Sequence, residues 1–325
     1  MHDVEPAQIH VIRPGWCTTL QDLGRYGYQH YGLSPAGAMD RRSLIIANRL
    51  VGNHDGDAAL EITLVGPELL FDKETILALG GADLTASING AAAPLWTSLF
   101  VTAGSRLAFG ARRAGARCYL AVAGGFDVPL QWGSRSTHLS TRTGGVQGRI
   151  LSAGETLVSK YATSRHHASI GCSLPTGLHP VFERRARLRV LPAPQREAFS
   201  LDALTVLTTA PYTVTNQSDR MGYRLEGQGL TQAGTPWGIS DGTVMGALQV
   251  PPDGQPILLM ADRSTTGGYP KIAVVISADL PLAAQLLPDD HMMFTPTTVA
   301  EAQSALQAQW RALERILPPH GTART

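Results

Sequence analysis

Cysteine is scarce in this sequence, and its cysteines stand far apart. Cys17, Cys118 and Cys172 are the only three in 325 residues. They form no Cys-x-x-Cys pair, which excludes a zinc ribbon and a thioredoxin-type redox pair. An odd and sparse set also argues against a secreted disulfide scaffold.

Charge of one sign and long apolar runs are lacking as well. The net charge is +1, so no strong field of one sign attracts nucleic acid or an acidic membrane. No run approaches the roughly 18 apolar residues of a membrane helix. The first residues show no basic stretch followed by an apolar one, so no signal peptide is predicted. We therefore expect a cytoplasmic protein whose partners are neither nucleic acid nor a membrane.

Several catalytic signatures are missing. The sequence has no GxxxxGK[ST] loop, no GxGxxG after a strand, no GxSxG elbow and no HExxH. Asp40 follows Met39 where a biotinylation site has its lysine, so no covalently bound biotin is expected. The adjacent pair His166-His167 would point in different directions on a regular backbone, which favours a solvated linker. No metal site is predicted.

Glycine and proline are abundant instead, with 34 and 21 residues. They punctuate short apolar runs, a pattern typical of the strands of a barrel or sandwich. Asn89-Gly90 stands between two such runs and predicts a tight hairpin, because both residues tolerate positive φ. We expect a mainly β chain with a few short helices. The predicted strands are IHVIR (9–13), LLF (69–71), ILAL (76–79), LFVTA (99–103), RLAF (106–109), CYLAVA (118–123), RLRVL (187–191), YTVT (212–215), ILLM (257–260) and IAVVIS (272–277), with further runs near 60–64 and 248–250.

The length favours two domains, at about 150 residues each. Between Lys160 and Leu178 the sequence loses its periodicity and collects Ser, Thr, Gly and Pro, which is typical of a linker. This predicts an N-terminal domain over 1–165 and a C-terminal domain over 180–317.

Two helices are predicted from their end signals. Asp40 caps the first, which ends before Gly52. The second is C-terminal, begins with a capping box of Thr298 and Glu301, and stops at Pro318.

Polar side chains cluster beside glycine in four places. The first two clusters are TTLQDLGRYGYQHYG (18–32), continued by PAGAMDRR (35–42), and AGGFDVPLQWGSRSTH (123–138). In the first, Asp22 and Arg25 form either a local ion pair or, through the arginine, a fork for a carboxylate or phosphate. In the second, Arg135 either binds an anion or belongs to a turn around Gly124-Gly125.

The third and fourth clusters lie in the second half. They are NQSDRMGYRLEG (216–227) and DGTVMGALQVPPDGQPILLMADRSTTGGYPKIAVV (241–275), and the second of these contains the run RSTTGGYPK (263–271). In the third, Asp219 is a candidate base and Arg220 and Arg224 are candidate anion clamps, against the alternative of a charged hairpin. In the fourth, hydroxyls and a glycine pair can cradle an oxyanion through backbone N–H groups. Lys271 closes that run and is one of only three lysines in the chain.

Taken in order, these stretches resemble one family. It is the KipA-like, biotin-dependent carboxyltransferase-related family, also described as allophanate hydrolase subunit two. The likeness runs from about residue 9 to 295, which is nearly the whole chain. The stretches that carry it are PGWCTTLQDLGRYGYQHYGLSPAGAMD, ANRLVGN, LEITLVGPEL, YLAVAGGFDVPLQWGSRST, QSDRMGYRLEG, GALQVPPDGQPI and TTGGYPKIAVVISADL.

The resemblance implies two cyclophilin-like β-barrel domains. It implies a role as the C-type subunit of an ATP-dependent 5-oxoprolinase, which opens the ring amide of 5-oxo-L-proline to L-glutamate. The implied partners are a KipI-like B-type subunit and a LamB/YcsF-like A-type subunit, and ATP with Mg is shared with them. We expect the chain to be inactive alone, because it has no nucleotide motif of its own.

That reaction needs cations for a carboxylate and a phosphoryl group, and a carboxylate to move a proton. The candidate catalytic residues are Asp40, Asp219 and Arg220. The candidate substrate-binding or anion-binding residues are Arg25, Arg135, Arg224, Ser264, Thr266, Tyr269 and Lys271.

Three positions depart from the usual family pattern. Ser264, Asp241 and Met245 stand where the family commonly has Gln, Glu and Pro. Because serine offers no paired amide donor and acceptor, a substrate other than 5-oxoproline is one open alternative. A carboxyltransferase component that uses carboxybiotin on urea or another small amide is a second. A regulatory protein that binds a KipI-like kinase inhibitor is a third.

Overall fold

The structure is a computed structural model, and it describes residues 6–160, 169–233 and 239–319. It contains 33% strand and 17% helix, which confirms the prediction of a mainly β chain. Within the described residues, no helix is long and apolar enough to cross a membrane. The pair His166-His167 lies outside them.

The chain divides into two compact units. Unit 1 comprises Met1–Arg25, Ala36–Phe182 and Ala312–Thr325, and unit 2 comprises Tyr26–Pro35 and Glu183–Arg311. Neither unit is one continuous stretch. The domain limits that we predicted, 1–165 and 180–317, stay a prediction.

The strands of unit 1 form two antiparallel sheets. They are β1 (Gln8–Arg13), β2 (Cys17–Gln21), β3 (Ala59–Thr63), β4 (Glu68–Phe71), β5 (Thr75–Asp83), β6 (Ser87–Ile88), β7 (Ala91–Ala92), β8 (Ser98–Val101), β9 (Arg106–Ala108), β10 (Ala114–Val122) and β11 (Thr156–Val158). The six-stranded sheet has the order β11-β1-β4-β9-β6-β7, and the five-stranded sheet has the order β2-β3-β10-β5-β8.

Both sheets contribute to the core of unit 1. Ile9 and Phe71 of the first sheet and Leu60, Leu77 and Leu120 of the second belong to one cluster of fully buried apolar side chains. Burying one such side chain contributes about 1.5–3 kcal/mol, so this cluster is a main source of the stability of the unit.

The hairpin predicted at Asn89-Gly90 is confirmed. β6 and β7 pair Ser87 with Ala92 and Ile88 with Ala91, and only the two predicted residues lie between the strands. Their φ angles are 51° and 83°, the left-handed region that this kind of turn requires.

Helix α1 (Arg41–Leu50) begins where its cap was predicted. The Asp40 carboxylate accepts hydrogen bonds from the Ser43 backbone N–H at 2.9 Å and from the Ser43 hydroxyl at 2.6 Å. Leu44 and Ala47 lie on the buried face of the helix. The cap therefore supplies an acceptor for an amide that the helix leaves without a partner.

Unit 2 contains a closed seven-stranded barrel. Its strands are β12 (Arg185–Pro192), β13 (Tyr212–Val214), β14 (Gly222–Glu226), β16 (Ala247–Gln249), β17 (Ile257–Leu259), β19 (Lys271–Val275) and β20 (His291–Pro296). The order around the barrel is β12-β19-β16-β17-β14-β13-β20, and a parallel pairing of β12 with β20 closes it.

Shorter elements complete unit 2. Strands β15 (Asp241–Gly242) and β18 (Thr266–Gly267) pair with each other as a two-stranded ribbon, separate from the barrel sheet. Two helices, α2 (Ala203–Thr209) and α3 (Leu280–Ala283), connect barrel strands. The described residues also contain 3-10 helices at Gln29–Tyr31, Thr176–Leu178 and Pro194–Ala198.

The C-terminal helix α4 (Val299–Ile316) carries the predicted capping box. The Thr298 N–H donates to Glu301 Oε2 at 2.9 Å, and the Glu301 N–H donates to Thr298 Oγ1 at 3.2 Å. Leu313, near the end of the helix, is buried, whereas Val299, its first residue, is exposed. The helix begins in unit 2 and ends in unit 1.

Candidate functional site

A pocket of about 310 Å³ opens in unit 2, within the size range of sites for small ligands. It is walled by β14, β16, β17, the two segments that precede β14 and β18, and the segment that follows β18. Its lining residues are Gln217, Asp219, Met221, Gly222, Arg224, Gln249, Ile257, Leu259, Arg263, Ser264 and Tyr269. Four of the residues predicted from the sequence meet here, Asp219, Arg224, Ser264 and Tyr269.

Arg224 brings a positive charge to this pocket. It lies on β14 and is exposed, and within the described residues its guanidinium makes no hydrogen bond. An arginine in this state keeps its planar fork for a carboxylate or phosphate. Its predicted role as an anion clamp is therefore compatible with its place.

Asp219 brings a carboxylate to the same pocket. Its Oδ1 accepts hydrogen bonds from the N–H groups of Met221 at 2.8 Å and Gly222 at 3.3 Å. These bonds fix the direction of the side chain, and within the described residues Oδ2 accepts none. The carboxylate is thus held by its own turn and has a second oxygen for a proton or a ligand.

Arg220, for which we predicted a catalytic role, does not line the pocket. Its Nε and Nη2 each donate to one carboxylate oxygen of Asp262 at 2.9 Å. Both side chains are buried, and Arg220 is not among the residues that line the pocket. The guanidinium is thus engaged in a buried fork-to-fork pair outside the pocket lining, and its catalytic role stays a prediction.

Three polar residues of the pocket were not singled out from the sequence, Gln217, Gln249 and Arg263. Arg263 opens the RSTTGGYPK run, and its Nη1 donates to the Met260 carbonyl at 3.4 Å. Gln249 Nε2 donates to the Tyr269 carbonyl at 3.3 Å. Arg263 and Gln217 each stand in a polar cluster that the sequence does show, whereas Gln249 lies in an apolar strand with no such signal.

The first glycine of the pair in that run, Gly267, has a packing role. A Cβ added at Gly267 would lie 2.4 Å from Gln249 Nε2, so any side chain there would displace the glutamine from its place in the pocket wall. The backbone of Gly267 pairs with Asp241 in the ribbon. The oxyanion cradle predicted for this loop stays a prediction.

Lys271 also departs from its predicted role as an anion-binding group. It is buried, and its Nζ donates to Asp241 Oδ2 at 2.8 Å and to the Gly242 carbonyl at 2.9 Å. The hydrogen bond from Lys271, with one from the Gly242 N–H, lowers the pKa of the Asp241 carboxyl below its usual value. The ammonium therefore ties β15 to the barrel strand β19. Thr266 lies in the same ribbon and does not line the pocket.

In unit 1, Asp22 joins the first two polar clusters of the sequence. Its carboxylate accepts from the Gly24 N–H at 2.7 Å, the Ser134 hydroxyl at 2.6 Å, the Ser136 hydroxyl at 2.5 Å and the Arg135 N–H at 2.5 Å. Because Asp22 is buried, these hydrogen bonds hold residues 134–136 in place inside the unit. Its four hydrogen-bond donors do not include the Arg25 side chain, which was one alternative from the sequence.

Two arginines of these clusters take part in the fold. Arg25 is 2% exposed and donates to the Ser136 carbonyl. It offers almost no surface to a ligand in this structure, and its anion-binding role stays a prediction. Arg135 is half-buried, and its Nε donates to the Val128 carbonyl at 2.9 Å. Its anion-binding role stays a prediction.

Asp40 is likewise part of the fold. It is fully buried at the start of α1, and both of its oxygens are engaged by Ser43. The catalytic role predicted for Asp40 stays a prediction. The capping role predicted from the same residue is the one that the structure confirms.

A second pocket, of about 770 Å³, lies in unit 1. Trp96, His179 and small residues such as Ala86 and Ala92 line it. None of the site residues predicted from the sequence is among the described residues that wall it. We therefore take the pocket of unit 2 as the candidate site.

No group of three or more His, Cys, Asp or Glu side chains that could hold a metal ion occurs within the described ranges. The ATP and Mg that the family resemblance implies stay a prediction, and no step below is placed on a metal held by this chain.

Comparison with known proteins assigns the chain to a family. Residues 31–296 match the family described as carboxyltransferase domain, subdomain A and B. This match covers most of the chain, and the chain belongs to that family. The resemblance inferred from the sequence motifs is thereby confirmed.

Individual relatives show which proteins of known name the chain resembles. The chain is 40% identical to the C subunit of 5-oxoprolinase from Escherichia coli (strain K12), over 95% of its own length and 97% of the relative's. It is 37% identical to the C subunit of 5-oxoprolinase from Haemophilus influenzae, over 87% of its length and 89% of the relative's. The crystal structure of the K. lactis urea amidolyase matches with a TM-score of 0.89 and 31% identity, over 97% of this chain and 20% of that protein.

Proposed function

We propose that this chain is the C-type subunit of an ATP-dependent 5-oxoprolinase. The observation that carries the proposal is the 40% identity that extends over 97% of a relative bearing that name. Nearly the whole length of the relative is covered, so the likeness is not limited to one shared module. The pocket of unit 2 supports the proposal, because it combines arginines with a carboxylate at the scale of a small substrate.

In the proposed reaction, the carbonyl oxygen of the ring amide of 5-oxo-L-proline attacks the γ-phosphorus of ATP, and ADP leaves. Water then adds to the activated ring carbon, the C–N bond breaks, and the nitrogen takes a proton and leaves as an amine. A second water releases phosphate from the acyl phosphate that results. The products are L-glutamate, ADP and phosphate.

The residues of the pocket suit parts of this reaction. Arg224 and Arg263 suit the carboxylate of 5-oxo-L-proline, whose negative charge their guanidinium groups can neutralise. Asp219 suits the removal of a proton from the attacking water. Because this chain lacks a P-loop, we propose that ATP with its Mg is shared with a KipI-like B-type subunit and a LamB/YcsF-like A-type subunit, and that the chain alone is inactive.

The test is ATP-dependent glutamate release by the three subunits expressed together. We expect glutamate only from the complete set, with each single omission inactive. An Arg224→Ala variant should lower kcat/KM for 5-oxo-L-proline roughly 10- to 100-fold, since a hydrogen bond to a charged group contributes about 1.5–3 kcal/mol. Arg187→Ala is the matched control, because Arg187 is an exposed arginine of barrel strand β12 outside the pocket.

The outcomes separate two claims. An assembled wild-type complex that releases no glutamate refutes the 5-oxoproline assignment. Glutamate release that Arg224→Ala leaves at the wild-type rate retains the assignment and removes this pocket from the reaction.

Carboxyl transfer is the second candidate function. The observation that favours it is the TM-score of 0.89 with the K. lactis urea amidolyase, over nearly all of this chain. On this hypothesis, the pocket holds a small amide whose nitrogen attacks the carboxyl carbon of a carboxybiotin carried by another protein, and biotin leaves. A urea-dependent loss of labelled carboxyl from carboxybiotin, without glutamate release from 5-oxo-L-proline, would establish it.

A further inference from the structure

One buried ion pair joins two walls of the pocket in unit 2. Arg220 and Asp262 form it, with two N–H···O bonds of 2.9 Å. The backbone repeats the connection, because the Asp262 N–H donates to the Arg220 carbonyl at 2.8 Å. A second backbone hydrogen bond lies beside it, from the Met260 N–H to the Met221 carbonyl at 2.9 Å. One ion pair and two backbone hydrogen bonds therefore connect the two segments.

Each partner of the pair has pocket residues as its chain neighbours. Asp219 and Met221 flank Arg220, and Arg263 follows Asp262 directly. A shift of either partner therefore moves a lining residue, although neither partner lines the pocket itself. The pair connects the wall that carries the Asp219 carboxylate to the wall that carries the Arg263 guanidinium.

We propose that the Arg220–Asp262 pair is a positioning pair that sets how tightly the pocket binds the carboxylate of a small lactam acid. It does so by holding Arg263 and Asp219 at a fixed separation, and it does not contact the ligand. The substrate class rests on the proposed function, whereas the positioning effect rests on the geometry. A displacement of about 1 Å at such a site is enough to cost roughly 100-fold in rate.

Lysine is the informative replacement for Arg220. It keeps the charge, but its point-like ammonium cannot bond both oxygens of Asp262 in the planar fork that the structure shows. Arg220→Lys therefore weakens the pair, but the buried Asp262 carboxylate still has a positive charge beside it. Asp262→Asn loosens it from the other side.

The same unit offers a matched control in Arg189 and Asp279. Arg189 Nε and Nη2 donate to the two oxygens of Asp279 at 2.9 Å and 2.6 Å, so this is also an Arg–Asp fork on a barrel strand. Neither residue lines the pocket. Arg189→Lys makes the same chemical change at a place where it cannot move Arg263 or Asp219 directly.

The experiment measures KM for 5-oxo-L-proline, KM for ATP and kcat in the complete complex, with thermal unfolding of each variant chain. We expect Arg220→Lys and Asp262→Asn to raise KM for 5-oxo-L-proline roughly tenfold or more, with KM for ATP unchanged. The same variants should lose the preference of the pocket for 5-oxo-L-proline over 2-pyrrolidone, the same ring without the carboxylate, when both are used as competing ligands. Arg189→Lys should lower the unfolding temperature and leave both readouts at wild-type values.

Two results would overturn the proposal. One is an unchanged KM and an unchanged preference in Arg220→Lys. The other is an equal effect of Arg220→Lys and Arg189→Lys, which would show a general loss of stability.

Failure of the proposed function is recognised separately. If the wild-type complex releases no glutamate, calorimetric titration of the full chain with 5-oxo-L-proline and 2-pyrrolidone decides the positioning effect. Weaker binding of 5-oxo-L-proline by Arg220→Lys than by Arg189→Lys supports it. Equal binding by the two variants, or no binding by the wild-type chain, refutes it.

Discussion

Replacing Asp22 should destabilise unit 1 more than any ordinary surface substitution. The side chain is 5% exposed and accepts four hydrogen bonds, from Gly24, Ser134, Ser136 and the Arg135 backbone. At about 1 kcal/mol net for each bond, Asp22→Ala should lower the free energy of unfolding by ~4 kcal/mol.

The Asp22→Asn variant removes the negative charge of the side chain but keeps one of its two acceptor oxygens. The amide oxygen can replace Oδ1, which accepts from Gly24, Ser134 and Ser136, but the amide nitrogen then faces the Arg135 N–H. Two donors that face each other leave one bond unmade, so we expect a loss of about 2 kcal/mol, half that of the alanine variant.

Urea unfolding of the full chain gives the free energies, and hydrogen exchange of peptides that cover 128–145 localises the effect. Asp72→Ala is the control, because Asp72 is also an aspartate of unit 1 but accepts a single hydrogen bond within the described residues, from the Gln8 N–H at 2.6 Å. We expect the control to cost no more than about 1 kcal/mol. The reasoning fails if Asp22→Ala and Asp72→Ala destabilise the chain equally, or if exchange in 128–145 is unchanged.

Three further predictions concern other parts of the fold. Tyr119→Phe should cost about 1–3 kcal/mol in urea unfolding, because the buried hydroxyl donates to Glu61 at 2.7 Å and accepts from a backbone N–H at 2.8 Å. Hydrogen bonds from its capping partners lower the pKa of Glu301 in the folded chain, so α4 should be stabilised at neutral pH and lose this stabilisation as the pH falls through that lowered pKa, which circular dichroism of wild-type and Glu301→Gln chains can follow. Lys271→Met should raise hydrogen exchange at Asp241 and in the rest of the ribbon roughly tenfold, since a hydrogen bond to a charged group contributes about 1.5 kcal/mol.

Each of these predictions has a result that contradicts it. Tyr212→Phe is the control, because Tyr212 is also fully buried but its hydroxyl donates to a neutral acceptor, the Gln228 carbonyl, at 2.8 Å, so an equal loss for both tyrosines would show that the charge of Glu61 adds nothing. A difference between wild-type and Glu301→Gln chains that persists at acidic pH would rule out the carboxylate as the cause. Unchanged exchange in Lys271→Met would show that backbone pairing alone holds the ribbon.

Local signals were sufficient for the elements that depend on neighbouring residues. Asn89-Gly90 contains both residues of its turn, and Thr298 with Glu301 contains both halves of its capping box. Such features were predicted correctly because their physical cause lies within a few residues of sequence. The strand β20 was missed, although it closes the barrel, because its pairing with β12 joins residues about a hundred positions apart and leaves no local mark.

The candidate site shows the same division. Arg224 and Tyr269 were found because they stand in polar, glycine-rich runs, and the structure places both in one pocket. The partner of Arg220 could not be predicted, because its sequence neighbours do not show that Asp262 pairs with it. The same holds for Lys271, since its partner Asp241 lies thirty residues away. Residue type predicts what a side chain can bind, but only the fold shows what it already binds.

The discontinuous make-up of the two units has a consequence for how the chain acquires its structure during synthesis. Unit 1 needs residues near both ends, because Leu313 is buried and Arg49 donates to the Leu317 carbonyl at 2.8 Å. A ribosome that has synthesised the chain up to Pro296 has made all of unit 2's barrel strands, but it has not yet made α4, whose last turn unit 1 requires. The unit that starts first along the chain is thus the one that is completed last. A chain cut between the units at Phe182 would yield neither of them whole.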